Sequence, residues 1–288
     1  MADSKTSRLH EINETWGNAN GGDSSAFRYL ETSVLRRLVA RMQINHERRR
    51  ASFFVGPPGI GKSTATEAFR SANAENVFLT RITKRGASGP QALQQLLLAL
   101  RSRSPHSSRY VASGICELQR CIEVEIERIG GGLPRSESAE SFPLLTIVFD
   151  EAQRLTNGAI DALRDYNEPH YHCRGTFPIG MIFVGNNELS LQASKQGESI
   201  LDEGMQDRLL YRERLSYEDV EMADVEQFVK SKGVNDPRAI DAVVKFFFAK
   251  NGQQRSFRRI ADLVDELKDE ALGQPISKDM VRAVIGAC

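Results

Sequence analysis

Between Gly56 and Ser63 the chain reads Gly56-Pro57-Pro58-Gly59-Ile60-Gly61-Lys62-Ser63, which meets every fixed position of the phosphate-cradling pattern G-x-x-x-x-G-K-[ST]. The chemistry such a stretch can do is the capture of a polyphosphate. Glycines let the backbone turn its N–H groups toward one point, and a helix that starts there adds the positive end of its dipole. Lys62 is expected to neutralise the β- and γ-phosphates of ATP. Ser63 is expected to ligate Mg2+ through its hydroxyl, with Thr64 completing the loop. A second reactive stretch is Leu144-Leu145-Thr146-Ile147-Val148-Phe149-Asp150-Glu151, an apolar run that ends in two carboxylates. Hydrolysis of a bound triphosphate needs such a pair, with Asp150 holding Mg2+ and Glu151 acting as general base toward water.

Two further positions complete the set. Pro178 to Gly185 is an apolar run tipped by Asn186-Asn187-Glu188, so Asn186, or its neighbour Asn187, could orient the attacking water. Arg208 stands just before the run Leu209 to Leu215. There it would face outward, toward the nucleotide of a neighbouring subunit, and an arginine given in trans steadies the charge of phosphoryl transfer.

The elements that must position these residues follow from the apolar patterning. Ala51 to Val55, Val77 to Thr83, Leu144 to Phe149, Pro178 to Gly185 and Leu209 to Leu215 read as strands, the first of them buried and parallel. Helical spacing predicts a helix through Val34, Leu35, Leu38, Val39 and Met42, capped by Thr32 or Ser33. Others are predicted over Ser63 to Arg70, Gln91 to about Arg101, Ile115 to Ile129 and Gly158 to Asn167. Residues up to about Ser25 are polar and rich in Gly, Asn and Asp, and read as a flexible arm.

With 288 residues the chain is long enough for one large and one smaller domain, and its formal net charge is zero. No overall basic excess points to nucleic acid, so such contacts must come from local patches. The short basic loops that contain Lys84 and Arg85, and Arg101 and Arg103, are the candidates for phosphate contacts to DNA. Arg36, Arg37 and Arg41, with the run His46-Glu47-Arg48-Arg49-Arg50, form either a solvated helix face or a further contact surface. The expected location is cytoplasmic, because no signal peptide or membrane-spanning run is seen and the four cysteines show no CxxC pairing. His170, His172 and Cys173 lie close together, yet no second ligand cluster stands at metal-binding spacing.

The order Gly56 to Ser63, Asp150-Glu151, Asn186, Arg208 resembles that of the AAA+ ATPases, over a span from about Phe27 to the C-terminus. The resemblance implies an α/β P-loop NTPase with a five-stranded parallel sheet in the order 5-1-4-3-2 between helices, followed by a small helical lid. It divides the chain into an arm (1–25), an α/β nucleotide-binding domain (26–215) and the lid (216–288). It also implies an arginine that opens a lid helix and meets the γ-phosphate: Arg255, in Asn251-Gly252-Gln253-Gln254-Arg255, or else Arg258. Within that family the Asp-Glu-Ala-Gln stretch and the Val-Gly-Asn strand end look most like DNA-transposition ATPases of the MuB, TnsC and TniB type, related to the ExeA-like group. Such a resemblance implies ATP-dependent helical filaments or rings on duplex DNA, without sequence preference, that recruit and stimulate a transposase and come apart on hydrolysis. The alternatives are an ExeA-like or signalling ATPase without a DNA role, and a replication initiator or loader. A loader is expected to carry a duplex-reading domain after the lid.

Overall fold

The computed structural model describes residues 29–84, 88–102, 114–130, 144–167, 179–186, 209–249 and 255–287. In chain order the elements are α1 (Ser33–Arg48), β1 (Ala51–Val55), α2 (Lys62–Ala72), β2 (Val77–Arg81), α3 (Gly89–Arg101), α4 (Ile115–Ile129), β3 (Thr146–Asp150), α5 (Asn157–Arg164), β4 (Gly180–Gly185), β5 (Leu209–Arg214), α6 (Met222–Ser231), α7 (Pro237–Phe248), α8 (Phe257–Ala271) and α9 (Lys278–Ala287). They fall into two compact units, one of the described residues of 41–55 and 69–214, the other of Gly56–Ala68 with the described residues of 1–40 and 215–288.

The first unit is built on the sheet. Its five strands are all parallel and run in the order β2-β3-β4-β1-β5, which is the expected order 5-1-4-3-2 counted from the other edge. β1, β3 and β4 are apolar along nearly their whole length because helices cover both faces, and each is buried almost residue for residue. Register aligns Phe53 with Phe183 and Phe183 with Phe149, so three rings from adjacent strands line one face. Their centroids lie 4.5 and 5.0 Å apart at 14° to one another. This row sits at the centre of a core to which α3, α4 and α5 add Leu93, Leu96, Leu100, Ile122, Ile126, Ile160 and Leu163.

Two polar pairs are buried between α1 and the sheet, the first of them where the sheet is irregular. Ala51 pairs with Leu209 but Ser52 pairs with Tyr211, so β5 carries one extra residue there. Ser52 Oγ repairs the gap by accepting from Tyr211 N at 3.2 Å, and it donates to Asn45 Oδ1 at 2.5 Å. The next α1 residue, His46, places Nδ1 2.8 Å from Thr146 Oγ1. Burial lowers the pKa of His46; Glu47 opposes that shift and Arg49 adds to it. The unfolded ring therefore takes a proton at a pH where the folded ring stays neutral, and stability is lost as pH falls below about 6.5. Urea midpoints measured from about pH 8 to about pH 5 are expected to drop more steeply in the parent than in His46→Gln; equal slopes would contradict this.

In the other unit, α1 starts at a cap set by Thr32, whose Oγ1 accepts from Leu35 N at 3.2 Å. Ser33 instead reaches toward α6, donating its N–H and its hydroxyl to the buried Asp224 carboxylate at 2.8 and 2.5 Å. Asp224 also accepts from Glu221 N and so serves the capping box of α6. Helices α6 to α9 form the helical C-terminal region, closed around Val225, Val229, Ile240, Val243, Phe247, Ile260, Val264, Leu267 and Val281.

Candidate functional site

The glycine-rich loop follows β1 directly. Gly56 has no room for a side chain, since a Cβ there would lie 2.7 Å from Leu215 Cβ. Gly59 and Gly61 adopt φ of +78° and +98°, the turns an L-residue resists. Pro57 and Ile60 are buried and Pro58 is exposed. The carbonyls of the loop are taken up one after another. Lys62 Nζ donates to Gly56 O at 2.8 Å and Pro57 O at 2.7 Å, Tyr217 Oη donates to Pro58 O at 3.1 Å, and Phe257 N donates to Gly59 O at 2.8 Å. With these acceptors engaged by protein, the loop is left to offer donors, and α2 begins at Lys62, where a helix presents the N–H groups that its own carbonyls do not take up. The hydroxyl-bearing Ser63 and Thr64 are exposed. An anion is the natural complement of this donor set, and a hard cation beside it would find the Ser63 oxygen.

The C-terminal arginines separate cleanly. Ser256 is the N-cap of α8, so Arg255 lies before the helix, and its guanidinium carbon sits 4.0 Å from the centroid of the Phe248 ring. Arg258 is the second residue of α8 and is exposed; its Cβ is 3.3 Å from the point a Cβ on Gly59 would occupy. Of the two it is Arg258 that stands beside the loop.

In the sheet unit, β3 ends in Asp150, which pairs in register with Arg81 at the end of β2. Asp150 Oδ1 accepts from Glu151 N at 2.9 Å. Glu151 has φ 59° and ψ 34°, a left-handed conformation that costs a non-glycine residue about 1–3 kcal/mol and is kept only where the surroundings enforce it. Three donors meet its carboxylate: Gln153 Nε2 at 2.7 Å, Arg81 Nη2 at 3.3 Å and Arg154 Nη2 at 3.4 Å. Gln153 Oε1 in turn accepts from Asn186 N at 3.1 Å, so Glu151, Gln153 and Asn186 are joined. A carboxylate held at a strand end, with its neighbour Asp150 alongside, can accept a proton from water.

Among the basic candidates, Lys84 is exposed, whereas Arg101 is drawn into the protein. Its Nε lies 3.0 Å from Glu125 Oε1, its side chain is 16% exposed, and Glu125 also takes Arg128 at 2.6 Å. That pairing withdraws Arg101 from the surface the sequence suggested. Arg85, Arg103, Asn187, Arg208 and the His170, His172 and Cys173 group lie outside the described residues. Among the described residues no three His, Cys, Asp or Glu side chains gather as a metal site, and no helix is long and apolar enough to cross a membrane. Sequence reasoning had no role for Arg81, Gln153, Tyr217 or Ser256. Only Gln153 carried a signal, as the last residue of Asp-Glu-Ala-Gln.

Comparison with known proteins bears on this arrangement. A family model described as "AAA domain" matches residues 44–192. Among curated proteins no relative matches. Among solved structures, the ORC2 protein of Aeropyrum pernix in its ADP form is similar at a TM-score of 0.63 with 15% identity, over 92% of this chain and 71% of that one. The RuvB Holliday junction branch migration motor of Thermotoga maritima matches at 0.46 with 13% identity, over 90% and 70%. Drosophila ORC bound to DNA matches at 0.47 with 13% identity, over 88% and 59%. At such scores only the first likeness bears on the fold, which is that of an AAA+ P-loop protein.

Proposed function

Because the chain belongs to the AAA domain family, we propose that it is a Mg2+-dependent ATPase that assembles on duplex DNA in its ATP state, regulates a transposase there, and disassembles on hydrolysis. The observation that carries the ATPase part is the glycine-rich loop, where engaged carbonyls, positive-φ glycines and an exposed Ser63 leave a surface of donors for a polyphosphate. ORC2, similar in fold, was solved in an ADP form, which agrees with a nucleotide in this loop.

In the mechanism, Lys62 exchanges the carbonyls of Gly56 and Pro57 for β- and γ-phosphate oxygens, and the N–H groups from Gly59 to Thr64 follow the phosphate chain. Arg258 takes the lid-arginine role in preference to Arg255, whose cation is held on Phe248. Ser63 and Asp150 would hold Mg2+, which would supply neutralising charge to the phosphates. Glu151 accepts the proton of the attacking water and Asn186 orients that water. Arg208, supplied from a neighbouring subunit, steadies the transferred phosphoryl group, so that the two subunits share one nucleotide. Loss of the shared γ-phosphate then weakens the interface. Lys84, with Arg85 and Arg103, is the proposed phosphate contact to DNA, independent of base sequence.

The full chain, incubated with duplex DNA of arbitrary sequence and viewed by electron microscopy, is expected to form ordered assemblies with ATP and not with ADP. Binding should weaken steeply as salt is raised. A monomer that hydrolyses ATP at full rate, indifferent to DNA, would refute the proposal. The similarity in fold to ORC2 favours a second reading, an initiator or loader ATPase. Selection of one duplex sequence over another, at equal salt, would point to that reading.

A further inference from the structure

Gln153 is 5% exposed and, among the described residues, is the one buried polar side chain that touches both Glu151 and Asn186. We propose that Gln153 is a positioning residue, whose amide sets the Glu151 carboxylate and fastens it to the main chain at Asn186. This rests on the reading of Glu151 as general base.

The orientation of the amide is not a free choice. Asn186 offers an N–H, which only Oε1 can accept, so the NH2 group must turn to the other side, where Glu151 Oε2 receives it at 2.7 Å. One donor and one acceptor are thus used in opposite directions by a single planar group. The close approach is built in from both ends. At Glu151 the left-handed turn carries the chain back, so that a side chain two residues on can reach the carboxylate. At β4 the last residue is Gly185, where a Cβ would stand 2.8 Å from Gln153 Oε1.

The other contacts of Glu151 cannot fix it as well. Arg81 is 70% exposed and Arg154 36%, and their approaches of 3.3 and 3.4 Å are long for charge-assisted bonds. Water screens both, so each is worth little, although Arg154 Nη1 is itself held by Ile82 O at 2.9 Å. Gln153 holds a shorter bond from a buried side chain, where a polar group left unpaired is costly. A shift of Asn186 therefore pulls Glu151 with it, and the base and the water-orienting residue keep a fixed relation.

The test compares three full-length variants in ATP hydrolysis and ATP binding, beside Glu151→Gln. Gln153→Glu keeps the size and the acceptor toward Asn186 N–H but removes the donor and sets a second carboxylate against Glu151. Its kcat is expected to fall on the order of ten- to a hundredfold, with the ATP dissociation constant unchanged within about twofold, because misplacing a reacting group by an ångström costs that much. Gln153→His, whose neutral ring has one donor and one acceptor, should retain most of kcat. Gln153→Met, of similar length without a strong polar atom, carries the same expectation as the Glu variant if the added charge prevents folding. Parental kcat in the Glu and Met variants overturns the inference. So does a parallel fall of kcat and ATP affinity in all three, which marks a merely structural amide. Should Glu151→Gln itself hydrolyse at the parental rate, the general-base reading falls and this inference with it; an inactive Glu151→Gln beside a fully active Gln153→Met removes this inference alone.

Discussion

Glu151→Gln is expected to lower kcat for ATP hydrolysis by about 10²- to 10⁴-fold while ATP still binds, the span that loss of a general base removes. The substitution keeps the shape of the side chain, and a carboxamide oxygen can still accept from Gln153 Nε2, so the left-handed turn at residue 151 has no new reason to relax. What is lost is the ability to take a proton. The same span corresponds to about 2.7–5.5 kcal/mol of transition-state stabilisation. The groups proposed to hold the phosphates belong to a different stretch, residues 56–64, so affinity should change by no more than a few-fold. On the proposed scheme the ATP-bound assembly on DNA then persists instead of coming apart. Steady-state phosphate release and a nucleotide titration check both halves, and a kcat within about threefold of the parent would remove Glu151 from the base role.

How far such roles were legible in the sequence depended on whether each rested on local pattern or on long-range register. The strands were readable because buried parallel strands are continuous apolar runs: β1 and β4 lie within the runs expected of them, and β3 passes the end of its run by one residue, to Asp150. Their order came from resemblance, which the sheet bears out. α4 has its expected bounds, while other helix ends shifted by one to three residues, as at α5, which starts at Asn157 and gives way to a 3-10 turn over Asp165–Asn167. Arg255 and Arg258 could not be separated by composition, since both lie in one basic run. The decision turns on Ser256, whose extended backbone (φ −92°, ψ 123°) makes it the cap and puts only Arg258 within the helix. The pairing of Arg101 was equally hidden, because Glu125 lies on a different helix, 24 residues away. Gln153 depended on a backbone reversal at Glu151 that no propensity of glutamate announces.

Gly59→Ala is expected to cost about 2–5 kcal/mol and to weaken ATP binding with it, whereas Gly61→Ala should cost only the strain of its backbone, about 1–3 kcal/mol. Both glycines have positive φ, so an added methyl group is strained at either. They differ in what that methyl group meets. At Gly61 nothing lies within 4 Å, but at Gly59 the Cβ would come to 2.0 Å from Ser256 Oγ, 3.2 Å from Ser256 Cβ and 3.3 Å from Arg258 Cβ. Nor can the start of α8 simply move aside. Phe257 N is bonded to Gly59 O at 2.8 Å, and Ser256 is 5% exposed. Relief must therefore disturb the loop, the cap of α8, or both, and the lid arginine Arg258 is carried along. Removing the Ser256 hydroxyl takes away the worst contact and leaves the two near 3.2–3.3 Å. Because Ser256 makes no side-chain capping bond, Ser256→Ala alone should be mild. The double variant Gly59→Ala/Ser256→Ala should then recover part of the loss, a coupling on the order of 1 kcal/mol in a double-mutant cycle read by urea unfolding and ATP titration. If Gly59→Ala proved no worse than Gly61→Ala, or if the two substitutions at 59 and 256 simply added, the contact between the glycine-rich loop and the start of α8 would not exist in solution.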